Sequence, residues 1–194
     1  SSHGLDQKPM DGLRLAAAAF TNLTRDHLDY HGSVEAYFAA KARLFDALLP
    51  EGGTAIINAD DAHANALKAI AAKRGIQVKT FGHVKGADYC ILSVTPHAGG
   101  LNAKLRLEGN DVDVSLPLYG AFQLSNILTA YGLLRATGIA QEKLAPLFAN
   151  LQGVRGRLER AAMHQGAPIF VDYAHTPAAL ENVLKTLRHH TQKK

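Results

Sequence analysis

Two short apolar runs, at residues 15–21 and 54–57, and a third strand-like stretch at 76–81 are separated by stretches whose apolar side chains recur every three or four positions. That alternation is the signature of β-α-β units, whose strands are covered by crossover helices and so carry few polar side chains. The first intervening helix opens at Ser33, whose hydroxyl can accept from the N–H groups of a first turn, and must stop by Pro50 and Gly52. The second is expected over 62–74 and is closed by Gly75. Such a chain is predicted to be α/β, built on a mostly parallel sheet flanked by helices.

From 88 to 116 the pattern shortens into β-type runs broken by Gly99-Gly100 and Gly109-Asn110, the turn chemistry of hairpins. An antiparallel appendage to the main sheet is expected there. Helical periodicity returns at 121–136, ending at Gly138, and again at 141–150. Gly153 and Gly156 mark a junction, followed by a strand at 169–171 and a helix at 177–189 that begins with Pro177. This gives two domains, 1–152 and 153–194. One strand and one helix cannot bury a core of their own, so the chain is expected to be cut at its C-terminus.

At 194 residues, with 47% hydrophobic and 20% charged side chains, the composition is that of a globular protein. No apolar run approaches the roughly 20 residues that span a bilayer. No signal-peptide pattern is present and Cys90 is the only cysteine, so a reducing, cytoplasmic setting is expected. The net charge of +4 is scattered, apart from Arg188, His189, His190, Lys193 and Lys194 at the end. A mild positive excess suits an anionic small ligand as well as it suits nucleic acid.

The chemistry gathers in two places. The loop from Asn22 to Gly32 follows the first strand, at the carboxyl end of the sheet where α/β proteins bind ligands. It holds Asp26, His27, Asp29 and His31, which either cap the next helix or gather around a cation. His27 and His31, four apart, also leave zinc as a weaker alternative, although no further Cys or His stands at the usual spacing. Downstream, positions 34, 37, 38, 41, 44, 45 and 48 form an apolar stripe with Lys41 at its centre. A lysine there either snorkels to the edge or is buried, and burial lowers an ammonium pKa. A neutral amine can react with carbon dioxide to give a carbamate, whose two oxygens suit magnesium. Weaker signals are the helix start from Gly120 to Asn126, the arginines Arg155 and Arg157 at the junction, and Asp172, Tyr173 and His175 beyond the next strand.

Taken together, these stretches resemble the Mur ligases, most closely the MurE type. The resemblance rests on three segments: Thr21-Asn22-Leu23-Thr24-Arg25-Asp26-His27-Leu28-Asp29-Tyr30-His31-Gly32, then Ala39-Ala40-Lys41, then Val171-Asp172-Tyr173-Ala174-His175-Thr176-Pro177. The opening Ser1-Ser2-His3-Gly4-Leu5 fits as well. The resemblance implies a central ATP-binding domain followed by the start of a Rossmann-like C-terminal domain. It implies a monomeric enzyme that binds neither membrane nor nucleic acid. Its reaction adds the third amino acid, meso-diaminopimelate or L-lysine, to UDP-N-acetylmuramoyl-L-alanyl-D-glutamate. The substrate carboxylate takes the γ-phosphate of ATP to form an acyl phosphate, which the incoming amine displaces.

By position, the resemblance makes His27 a magnesium ligand and Lys41 an N6-carboxylysine that helps hold the metal and γ-phosphate. It assigns Asn126, Arg157, Asp172 and His175 to ATP, and Ser1, Gln7 and Lys8 to the UDP-sugar. Pro9 stands where the family usually has arginine, and Lys8 can replace its charge but not its bidentate fork. No G-x-x-x-x-G-K-[ST] occurs, so the fragment by itself is expected to be inactive. Rival expectations are a cyanophycin or folylpolyglutamate synthetase, against which the segment 26–31 speaks, and a non-catalytic scaffold or nucleic-acid-binding domain.

Overall fold

The computed structural model describes residues 2–8, 11–23 and 28–190. The chain forms two compact units, one of residues 1–90 and 125–140, the other of 91–124 and 141–194. Hydrogen bonds order the main sheet β1 (Ala17–Phe20), β2 (Thr54–Asn58), β3 (Gln77–Gly82), β4 (Tyr89–His97), β5 (Gly100–Leu107) and β6 (Asn110–Leu116). β1 through β4 pair in parallel, and β5 and β6 form the expected antiparallel hairpin.

In the first unit a short helix α1 (Ser2–Asp6) packs on α3 (Val34–Arg43), with a single turn α2 (Leu28–His31) before it. The Ser33 hydroxyl accepts from the Ala36 N–H, the cap read from the sequence. α3 does not run straight to Pro50. It widens into a π-helical turn, Leu44–Leu48, closed by the Leu49 N–H donating to the Leu44 carbonyl at 2.9 Å. The extra residue lets Phe45 and Leu49 both bury completely, and it takes Leu48 off the stripe that a uniform helix would have kept. These side chains meet Ala18, Phe20, Ala55, Ile57 and the inner face of α4 (Ala64–Lys73) in one core. Burying each large aliphatic or aromatic side chain contributes roughly 1.5–3 kcal/mol.

β2 is covered on its other face by α5 (Phe122–Ala136). A Cβ on Gly132 would lie 2.8 Å from both Ile56 Cγ2 and Tyr89 Cε2, so only glycine lets the helix approach this closely. Beside it Tyr131 and Tyr89 meet edge to face, ring centroids 5.2 Å apart. Cys90, buried at the start of β4, has its Sγ 3.7 Å from the Val84 carbonyl oxygen.

The second unit contains the β5–β6 hairpin, where Leu101, Ala103, Leu105 and Leu107 alternate inward. The helical stretch read at 141–150 is a short α6 (Gln141–Leu144) running into a 3-10 segment, Ala145–Asn150, packed on β6. Beyond it the periodicity marks one strand, and the structure has two. β7 (Glu159–His164) pairs antiparallel with β8 (Ala167–Val171) in a separate sheet, followed by α7 (Pro177–His190). β7 is almost wholly exposed and lacks β-branched residues, so nothing in its periodicity betrays it. The turn does: Gln165 and Gly166 both have positive φ, 48° and 80°, as a two-residue hairpin requires. Met163, Ile169, Val171, Leu180 and Leu184 in this region are exposed.

Candidate functional site

At the carboxyl end of β1 the chain continues as Thr21-Asn22-Leu23, and side chains from three other elements grip its backbone. Asn58 Nδ2 donates to the Thr21 carbonyl at 2.7 Å. Lys41 Nζ donates to the Asn22 carbonyl at 2.8 Å. Asp61 Oδ2 accepts from the Leu23 N–H at 2.9 Å. Asp61 also accepts from the backbone and the ring of His63, which stacks on Phe38. Burial pushes the Asp61 carboxyl up, but these donors outweigh it and hold the group below the usual aspartate range. Sequence reasoning missed Asn58 and Asp61. Asn58 ends β2 and Asp61 follows it, at the same end of the sheet as Asn22, which is the signal that could have found them.

Lys41 resolves the alternative left by the sequence. It is half-buried, with Nζ 4.9 Å from the ring centroid of Tyr37 and 5.7 Å from that of Phe20. A carbonyl oxygen and two aromatic faces are its partners, and the side chain sits at the rim of the core. Around it runs an aromatic series. Tyr37 stacks on His31 at 5.2 Å, His31 meets Tyr30 at 4.7 Å, and Tyr30 lies 4.1 Å from His3. The Tyr30 hydroxyl donates to Asp6 and accepts from Gln7 Nε2 at 3.3 Å. Gln7 is thereby tied to the Lys41 neighbourhood, while Lys8 is exposed with φ 62°. Ser1, Pro9, Asp26 and His27 lie outside the described residues. Ser2, Thr21, Phe20 and Lys41 line a cavity of about 190 Å³.

The second cluster is built by the β7–β8 hairpin. Asp172, just past β8, accepts from the Leu158 N–H and the Ala174 N–H, both at backbone hydrogen-bond distance (2.8 and 2.7 Å). The Tyr173 N–H donates to the Gly156 carbonyl, which fixes the junction against the strand. Arg157 extends over the Tyr173 ring at 5.9 Å, and His175 Nδ1 lies 2.9 Å from the Tyr173 carbonyl oxygen. Arg157, Asp172 and His175 are therefore brought together around Tyr173. Arg157 also lines a cavity of about 240 Å³ with Tyr119, Gln123, Glu159 and Arg160. Asn126 is exposed on α5, in the first unit.

A family model of the Mur ligase middle domain matches residues 1–134. The chain belongs to the Mur ligase family. It is 47% identical over 192 residues to the UDP-N-acetylmuramoyl-L-alanyl-D-glutamate–2,6-diaminopimelate ligase of Caulobacter vibrioides, covering 98% of this chain and 39% of that protein. A ligase of the same description from Chelativorans sp. is 45% identical over 189 residues, covering 97% and 39%. A solved structure of such a ligase shares 36% identity with a TM-score of 0.85, covering 100% of this chain and 40% of that one. This Mur ligase chain thus spans about two fifths of the length of the relatives it matches.

Among the described residues of this Mur ligase chain, no three His, Cys, Asp or Glu side chains converge as a metal would need. No described helix is long and apolar enough to cross a membrane. A modified lysine at position 41 would have space beside it. An adjoining cavity has room for added atoms, and the buried Ser2 hydroxyl in its lining has no hydrogen-bond partner among the described residues.

Proposed function

We propose that this chain is the middle part of a cytoplasmic, ATP-dependent ligase of peptidoglycan synthesis. The ligase joins an amino group of 2,6-diaminopimelate to UDP-N-acetylmuramoyl-L-alanyl-D-glutamate. The observation that carries this is the 47% identity to such a ligase across 98% of the chain. Residues 1–152 serve as the later part of the ATP-binding domain, and 153–194 as the hinge and opening of the next. The separate β7–β8 sheet supports that boundary.

In this reaction the substrate carboxylate takes the γ-phosphoryl group, and the amine then displaces phosphate from the acyl phosphate. Lys41, as N6-carboxylysine, and His27 would hold Mg²⁺, which would supply positive charge against phosphate oxygens in phosphoryl transfer. Arg157, Asp172, His175 and Asn126 hold ATP. Each Asp172 oxygen uses only one lone pair on the backbone and keeps another for the nucleotide side. The guanidinium of Arg157, already above the Tyr173 ring, supplies positive charge to phosphate. Ser1, Gln7 and Lys8 meet the UDP-sugar, with Gln7 oriented by Tyr30.

The test is a chimaera in which these 194 residues replace the matching segment of the Caulobacter vibrioides ligase. Ligation of 2,6-diaminopimelate, lost on Lys41→Arg, is the expected result. A folded chimaera that binds ATP but ligates nothing, or that prefers a different amino acid, would overturn the reading.

A further inference from the structure

We propose that the cavity lined by Ser2 and Lys41 receives the carboxyl group of the carbamate formed on Lys41, and that the Ser2 hydroxyl donates to it. This rests on the carboxylysine of the proposed function.

Ser2 is 4% exposed, and its Oγ is fully buried without a hydrogen-bond partner among the described residues. Folded proteins seldom keep a buried hydroxyl unsatisfied, because the loss of its water is then uncompensated. Ser2 opens α1, which packs on α3, the helix that carries Lys41. Both residues line the same cavity of about 190 Å³, whose walls are otherwise largely apolar, with Leu5, Phe20 and Phe45 among them. The volume exceeds that of several waters at about 30 Å³ each, so a carboxyl group fits.

The chemistry explains why the hydroxyl waits without a partner. The lone pair of the neutral Lys41 amine forms a bond to the carbon of CO2, one C=O pair moves to oxygen, and nitrogen releases a proton to solvent. The product keeps one N–H, which can go on donating to the Asn22 carbonyl now held at 2.8 Å. Its two oxygens are acceptors only and need donors. The carbonyl and aromatic faces around Nζ offer none, whereas the Ser2 and Thr21 hydroxyls in the lining do, and of these two it is the buried Ser2 Oγ that has no other partner among the described residues. Ser2 is thus a positioning residue for Lys41, idle in the unmodified protein and engaged in the modified one.

The purified chain is equilibrated with ¹³C-bicarbonate and Mg²⁺, and the carbamate is read by ¹³C NMR, assigned by its loss in Lys41→Arg. The expected result is a Lys41-dependent resonance that falls at least fivefold in Ser2→Ala and persists in Ser2→Thr, while the urea midpoint of Ser2→Ala stays level or rises. Equal occupancy in Ser2→Ala would overturn the role of Ser2 and leave carboxylation standing. Loss of the resonance together with a lowered urea midpoint would overturn it as well, since a general structural role would then suffice. No Lys41-dependent resonance in the unaltered chain would overturn the carboxylysine itself, and this inference with it.

Discussion

Asp61 reaches back from the end of β2 to accept, at 2.9 Å, the N–H of Leu23, the third residue beyond β1. The bond ties two neighbouring strand exits together at the end of the sheet where Lys41 sits. Asp61→Ala leaves that amide without its acceptor and is expected to cost about 1–3 kcal/mol. Asp61→Asn retains one acceptor oxygen and should cost less. Urea unfolding measures both, and faster amide exchange at Leu23 in Asp61→Ala would locate the damage.

The same carboxylate sets a pH dependence. Asp61 and Asp88 are both held below the ordinary aspartate value, since their donors outweigh the burial that would raise them. For Asp88 those donors are the Thr80 N–H and hydroxyl and the Lys79 ammonium. A carboxyl depressed in the folded state adds stability that is present above its unfolded pKa of about 4 and is lost as pH falls through the folded value. The urea midpoint should therefore decline below about pH 4. The decline should be shallower in Asp61→Asn, and an unchanged slope in that variant would remove Asp61 from the account.

Gly132 is the narrowest point between α5 and β2. Gly132→Ala would set a methyl 2.8 Å from Ile56 and Tyr89, and the expected loss is about 1–3 kcal/mol despite alanine's better helix propensity. Thermal unfolding checks the sign: a rise in Tm would show that the helix can back away at little cost.

Lys41→Arg keeps a cation for the Asn22 carbonyl and the Tyr37 ring but cannot form a carbamate. In the chimaera it should lower kcat by about 10²-fold or more, the scale of losing one charge-stabilising group at a phosphoryl-transfer site. Stability should move by less than about 1 kcal/mol, because the side chain is half-exposed. A loss of activity matched by unfolding would assign Lys41 a packing role instead.

These 194 residues contain no G-x-x-x-x-G-K-[ST] to cradle phosphates, and the chain alone should show no ATP-dependent ligation. Calorimetric titration with ATP, with and without Mg²⁺, should give weak or no binding, and tight binding would contradict this.

The parallel sheet was legible because β2 is buried on both faces and its apolar run is unbroken at Ala55-Ile56-Ile57. The Ser33 cap and the Gly75 stop were legible because each uses a residue type suited to little else. What escaped depends on tertiary placement. The π-turn at Leu44–Leu48 follows from fitting Phe45 and Leu49 into one core, which a uniform 3.6-residue count cannot foresee. β7 has no buried face for a period to mark. At the site, Lys41 stood out as a charge within an apolar stripe, but its half-buried seat between Asn22, Phe20 and Tyr37 did not. Asn58 and Asp61 carry no motif of their own, and only the fold sets them beside Thr21 and Leu23.

Because Cys90 is the sole thiol and is 5% exposed, it serves as a clock for the first unit. An alkylating reagent can reach it only when β4 parts from its surroundings. Under conditions where reclosing outruns labelling, the labelling rate divided by that of a free thiol gives the opening equilibrium directly. No engineered probe is needed. The effects of Gly132→Ala and Asp61→Ala on local opening can thus be timed in native buffer, one sulfur reporting for every variant.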